Sequence, residues 1–236
     1  MPRVVRGLAD GFIYHVINRG NGRREVFHKD QDYGAFINLM KGARTRFSVK
    51  IFAYCVMPNH FHIVLMPARA EELSRWMQWL MTSHVRRYHR HYGTSGHIWQ
   101  GRFKSFVIQE DAHLLMVLRY VEGNPVRAGL VKSAKDWVWS SHREVIGEKQ
   151  RMLIDESPIH LPENWEKYVD EPLTEKELER LRQSVNRQSP YGQTEWQIKI
   201  TQELGLESTL RPRGKPKKKG RKWEKVACPL FCSRPP

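Results

Sequence analysis

The run Val56-Met57-Pro58-Asn59-His60-Phe61-His62-Ile63-Val64-Leu65-Met66 constrains this chain most. Its β-branched and aromatic residues suit a strand. Strand side chains alternate between the two faces of a sheet. His60 and His62 therefore project together from one face, with Phe61, Ile63 and Leu65 on the other. Two neutral imidazoles held on one rigid strand are half of a ligand set for a metal ion. The same pair would also serve as the polar face of a solvated strand, and H-x-H alone leaves both readings open.

The rest of the chain narrows what such a strand could act on. At 236 residues it has length for one substantial domain and an extension, and its 40% hydrophobic residues can form a core. Lys and Arg number 40 against 25 Asp and Glu, a formal net charge of +15. That surplus points to a polyanion. No apolar run reaches the roughly 18 residues of a membrane-spanning helix. The basic start, Met1 to Arg6, is not followed by an apolar signal core. Nucleic acid is the expected partner, with no membrane, and a cytoplasmic, nucleoid-associated location is expected. Cys55, Cys228 and Cys232 do not make a disulfide framework, and the spacing of the last two lacks a second metal-binding pair.

Strands are expected over residues 12–18, 49–56, 60–66 and 103–108. A helix capped by Asp30 carries Tyr33, Phe36, Ile37 and Met40 at helical spacing, and a longer one spans 71–92. A third, capped by Asp111, must stop near Asn124 because Pro125 follows. The order β-α-β-β-α-β-α predicts an α+β fold: a ferredoxin-like, RRM-like antiparallel sheet with helices on one face, the His60 strand central. Residues 1–147 form this domain. Residues 148–173 read as a linker or wrap. Residues 174–210 read as a small helical, DNA-binding segment, opened by a capping box of Thr174 and Glu177. Residues 211–236 are a basic tail expected to be disordered, whose lysines and arginines grip phosphates through counterion release. The extension is thus mainly helical and basic.

Tyr120 and Asn124 stand four apart on the predicted third helix and face the same way. An amide oxygen is a reasonable hard ligand and would complete a His-His-Asn face. A tyrosine one turn away would lie beside the metal. Its phenol, with a pKa of about 10, is a poor nucleophile in water, and a nearby cation favours phenolate. On spacing alone, a half-buried tyrosine and an asparagine that ends the helix before proline explain the pair better.

Three stretches in register carry a family resemblance: Met57-Pro58-Asn59-His60-Phe61-His62, Ile98-Trp99-Gln100-Gly101-Arg102-Phe103, and Arg119-Tyr120-Val121-Glu122-Gly123-Asn124-Pro125-Val126-Arg127-Ala128. They resemble the single-tyrosine transposases with a His-hydrophobe-His motif (the HUH fold, IS200-like), and more closely the REP-associated tyrosine transposases of bacteria. The likeness runs over residues 8–147. Ser184 to Arg187 and Leu206 to Gly214 also resemble extensions of those proteins.

The resemblance implies His60, His62 and Asn124 as ligands of Mg²⁺ or Mn²⁺ and Tyr120 as nucleophile. It implies single-stranded DNA cut beside a hairpin, a 5′-phosphotyrosine, a released 3′-hydroxyl, and rejoining without ATP. Contacts to DNA are expected from Asn18, Arg19, Arg23, Arg102, Lys104 and Arg127, and from Arg211, Arg213, Lys217 and Lys218 of the tail. Trp99 and Phe103 either stack an unpaired base or belong to the core. Glu122 is an acidic departure from the pattern, expected to be a solvated helix residue. Monomer and homodimer both remain open. The rival reading is a non-catalytic, domesticated hairpin-binding protein or repressor, against which the intact Tyr120, His60, His62 and Asn124 argue.

Overall fold

The computed structural model describes residues 7–211. Arg213, Lys217, Lys218, Cys228 and Cys232, and with them nearly all of the expected tail, lie outside the described residues. The four strands are β1 (Ile13–Arg19), β2 (Val49–Met57), β3 (His60–Pro67) and β4 (Lys104–Ile108), all antiparallel in the order β2-β3-β1-β4. The histidine strand is central, as expected. Helices α1 (Asp30–Arg44) and α2 (Ala70–Tyr92) cross between strands, and α3 (Ala112–Glu122) follows β4.

Alternation along the strands builds two cores. On one face Phe61, Ile63 and Leu65 of β3 join Tyr14 and Val16 of β1 under α1 and α2. Their helical partners are Tyr33, Phe36 and Met40, and Leu73, Trp76, Met77 and Leu80, spaced to make one buried stripe per helix. Phe61 is fully buried, its ring 5.1 Å from Phe36 and 5.3 Å from Trp99. A buried phenylalanine contributes about 1.5–3 kcal/mol. The helix α2 ends at Gly93, whose left-handed φ of 61° suits glycine.

Helices on one face describe α1 and α2; α3 departs from that expectation and covers the opposite face. There Leu114, Val117, Leu118 and Val121 pack on Phe52, Cys55, Val64 and Phe106. The reason is in β2, where residues 51–57 are apolar without a break, the pattern of a strand buried on both sides. Two smaller expectations also change. Asp30 lies inside α1, whose N-cap is Lys29, while the Asp32 carboxylate accepts from the His28 amide. Asp111 does cap α3, accepting from the His113 amide at 2.7 Å. The helix breaks one residue early, at Gly123, and a separate turn α4 (Asn124–Arg127) begins.

The residues after 133 close the second core and both sheet margins. After α5 (His142–Val145), Asp155 pairs with the edge strand β2, exchanging hydrogen bonds with Ile51 through backbone and carboxylate. Trp165 and Val169 of α6 (Trp165–Asp170) and Leu178 and Leu181 of α7 (Glu175–Arg187) pack into the core beneath α3. Thr174 and Glu177 form the anticipated capping box. Tyr191, between α7 and α8 (Thr194–Glu203), bonds the other edge strand: its amide donates to Val107 and its carbonyl accepts from Gln109. Open edges invite pairing with other chains, and these segments cover them. A last turn, α9 (Glu207–Leu210), precedes Arg211.

Candidate active site

The two-residue turn Pro58-Asn59 between β2 and β3 orients His60. The Asn59 side-chain oxygen lies 2.6 Å from His60 Nδ1. An amide oxygen only accepts, so Nδ1 carries the proton and Nε2 keeps its lone pair. The same turn anchors the glycine-rich loop: the Asn59 carbonyl accepts from Gly20, and its side-chain amide donates to the Arg23 carbonyl. Gly20 is required there, because a Cβ would sit 2.2 Å from the Arg24 carbonyl oxygen.

His62 is the next residue on that face, its ring 5.0 Å from that of His60. Its Nδ1 meets Nε2 of His15 at 2.7 Å, inside the sheet. Burial pushes His15 down to about 3 and His60 to about 4, Arg19 and Arg127 adding to the effect on His60. His62 is also held well below the usual histidine range, by burial first and then by its histidine and arginine neighbours. Both motif histidines are therefore neutral near pH 7, the form that ligates metals.

Tyr120 and Asn124 reach this pair from α3 and α4. The Tyr120 ring stands 5.7 Å from the His62 ring, nearly perpendicular to it. The Asn124 side-chain nitrogen is 3.3 Å from His60 Nε2, although a helix break separates it from Tyr120. Half-turning its amide presents the oxygen instead. Two imidazole nitrogens and one amide oxygen fit Mn²⁺ by softness and Mg²⁺ by availability, provided phosphate or water supplies further oxygens. The Arg127 guanidinium lies 4.3 Å over the Tyr120 ring and donates to the Tyr120 carbonyl. Arg19 pairs with His60 across β1 and β3, placing its side chain on the same face.

Glu122 is not solvated. Its side chain is 1% exposed and accepts from three buried groups: Ser141 Oγ at 2.7 Å, His142 Nδ1 at 2.7 Å and Trp165 Nε1 at 2.8 Å. It ties the end of α3 to the segment at residues 141–142 and to α6. The helical position alone left its direction undecided, because the partners come from 19, 20 and 43 residues away.

The other expected contact residues divide. Asn18 is buried and occupied: its amide donates to the Gly101 carbonyl and its oxygen accepts from the Arg19 amide. Lys104 is exposed and opposite Ile17, which is opposite His62, so it shares the histidine face two strands away. Arg23 is exposed beside the glycine loop. Arg102 is exposed on a groove of about 790 Å³ between α2 and residues 96–103, away from the histidines. Arg211 is exposed at the far end of the described chain. Trp99 and Phe103 both belong to the core under α2, which decides against the stacking reading. Three residues escaped the sequence reading: His15, Asn59 and the pairing role of Gly101. The available signal for His15 was alternation, since His15, Ile17 and Arg19 share a face of β1.

The structure has a ferredoxin-like sheet with two histidines on a central strand and a tyrosine above them. Residues 9–124 match the family model of IS200-like transposases. The nearer likeness is to REP-associated tyrosine transposases. One of Haemophilus influenzae is 33% identical over 108 residues, covering 41% of this chain and 61% of that protein. One of Escherichia coli is 30% identical over 99 residues, covering 41% and 56%. The chain thus spans between half and two thirds of the length of these relatives. A solved structure of a REP-associated tyrosine transposase bound to a REP hairpin shares the fold, with 20% identity and a TM-score of 0.53 over 69% of this chain and 99% of that one. Among the described residues, no helix is long and apolar enough to cross a membrane.

Proposed function

We propose that this protein cuts and rejoins single-stranded DNA beside a hairpin, through a covalent link between Tyr120 and a 5′-phosphate. The observation that carries the proposal is the convergence of Tyr120 and Asn124 on the neutral His60–His62 pair. A divalent ion bound by His60, His62 and Asn124 would polarise a non-bridging phosphate oxygen and make phosphorus more electrophilic.

This chain's residues do the rest. The Tyr120 hydroxyl loses its proton to water and its oxygen forms the new bond to phosphorus. The bond from phosphorus to the 3′-oxygen breaks, and that oxygen leaves as a 3′-hydroxyl after gaining a proton. Arg127, stacked on Tyr120, and Arg19, beside His60, supply positive charge where the phosphate gathers negative charge. A 3′-hydroxyl then attacks the phosphotyrosine in reverse, and Tyr120 leaves. One phosphoester is exchanged for another at each step, so no ATP is consumed. Lys104 and Arg23 would hold the strand by its phosphates, and the basic residues after Arg211 would add sequence-independent grip.

The test is incubation of the full chain with labelled hairpin DNA carrying a single-stranded flank, with Mn²⁺, followed by a denaturing gel. A covalent adduct is expected from wild type and none from Tyr120→Phe. Absence of an adduct with wild type favours the non-catalytic hairpin-binding reading. An adduct that survives Tyr120→Phe removes Tyr120 as nucleophile.

A further inference from the structure

We infer that His15 is a positioning residue for His62, acting as the hydrogen-bond acceptor that holds the His62 ring with its Nε2 lone pair toward the candidate metal site. This deepens the function proposed above and rests on its ligand assignment.

The geometry is specific. His15 and His62 are both buried, their rings lie within 4° of parallel, and Nε2 of one faces Nδ1 of the other at 2.7 Å. Two neutral imidazoles can share this contact in only two ways. In the first, His62 Nδ1 donates to His15 Nε2, so His62 Nε2 bears a lone pair and can ligate. In the second, His15 Nε2 donates, His62 carries its proton on Nε2, and ligation there is blocked. His60 sets the precedent, since the Asn59 oxygen enforces the first arrangement on it. Metal-ligating histidines generally donate their other nitrogen to such a partner, and its removal costs about 10–100-fold in metal affinity.

His15 is itself locked. Its ring packs edge-on to Phe106, with centroids 4.9 Å apart, and stands 6.3 Å from the Tyr120 ring. Its Nδ1 is buried with no hydrogen-bond partner among the described residues. With Nε2 accepting, the neutral His15 ring carries its proton on this Nδ1, and an unsatisfied buried donor is costly; no packing need explains a histidine here in place of an apolar residue like Ile13, which shares its face of β1. The contact to His62 does explain it. His15 would touch neither substrate nor ion.

The experiment uses the full chain without DNA. Mn²⁺ affinity is measured by the electron paramagnetic resonance of free ion, and the His62 tautomer in metal-free protein by long-range ¹H–¹⁵N correlation. Wild type is expected to show His62 protonated at Nδ1. His15→Leu is expected to bind Mn²⁺ about 10–100-fold more weakly and to lose the single His62 tautomer. His15→Gln, which keeps an acceptor at that distance, is expected to recover most of both. Wild-type affinity and tautomer in His15→Leu would overturn the inference, as would a wild-type His62 protonated at Nε2. Should His15→Leu not fold, the wild-type tautomer and His15→Gln still decide. If wild type binds no Mn²⁺ through His60 and His62, the ligand assignment fails, while the tautomer measurement continues to judge His15.

Discussion

Glu122 is the residue whose replacement tests the structure most directly. On a solvated helix face, Glu122→Ala would change stability by at most about 0.5 kcal/mol. In the observed fold it strips the carboxylate from Ser141 Oγ, His142 Nδ1 and Trp165 Nε1, all within 2.8 Å and all buried, leaving only Ser141 a second acceptor among these contacts, the Tyr54 carbonyl at 3.3 Å. Each abandoned donor costs about 1–3 kcal/mol, and removing one member of a buried charged contact typically costs about 3–5 kcal/mol. The three donors share one carboxylate, so their costs overlap, and a loss of about 4 kcal/mol is expected. For a chain of this size that lowers Tm by about 8–16 °C. Glu122→Gln keeps the shape and one acceptor oxygen and should lose about half as much. Guanidinium unfolding followed by tryptophan fluorescence reads both, since Trp165 sits in the network. A Glu122→Ala midpoint within about 0.5 kcal/mol of wild type would refute the buried network. Because Glu122 lies between Tyr120 and Asn124, adduct formation by Glu122→Gln should fall while binding of hairpin DNA persists.

Acid should destabilise the protein through its buried histidines. Burial puts the folded-state values of His15 and His84 at about 3. The unfolded chain binds their protons from about 6.5 downward, so stability rises with pH between about 3 and 6.5. At pH 4.5 each costs on the order of 2–3 kcal/mol relative to neutrality, and a flat denaturation midpoint from pH 7.5 to 4.5 would contradict this. Arg127→Ala removes the guanidinium over Tyr120 and should slow adduct formation about 100-fold, measured by single-turnover gels; an unchanged rate would remove Arg127 from the reaction. Phe61→Ala should cost about 3–5 kcal/mol in urea unfolding, with a smaller loss speaking against its place under α1 and α2. Truncation after Arg211 should weaken hairpin binding and flatten its salt dependence, the logarithmic slope falling by about 0.9 for each DNA phosphate the tail neutralises; an identical slope would show that the tail does not touch DNA.

Much of the site was legible along the chain because it is written in strand and helix periods. Alternation alone put His60 and His62 on one face of β3 and Phe61 on the other. The punctuation by Asp111 and Pro125 located the third helix within a residue or two, and the capping box at Thr174 located α7. Motif order over residues 57–128 carried the family resemblance. These features depend on neighbours a few residues away, and local sterics and hydrogen bonding settle them.

Tertiary structure decided which distant groups meet. His15 finds His62 across 47 residues because β1 and β3 pair in one register, and a slip by one residue would turn it to the opposite face. Asn124 reaches His60 despite the break at Gly123, because α3 packs on the second face of the sheet. Glu122 is buried because segments from residues 141–142 and 165 close over it, and Asn18 is taken up by a loop 83 residues away. A period records which side of an element a residue occupies. What covers that side depends on packing between elements far apart in the chain, and neither the charge of Glu122 nor the polarity of Asn18 could report it.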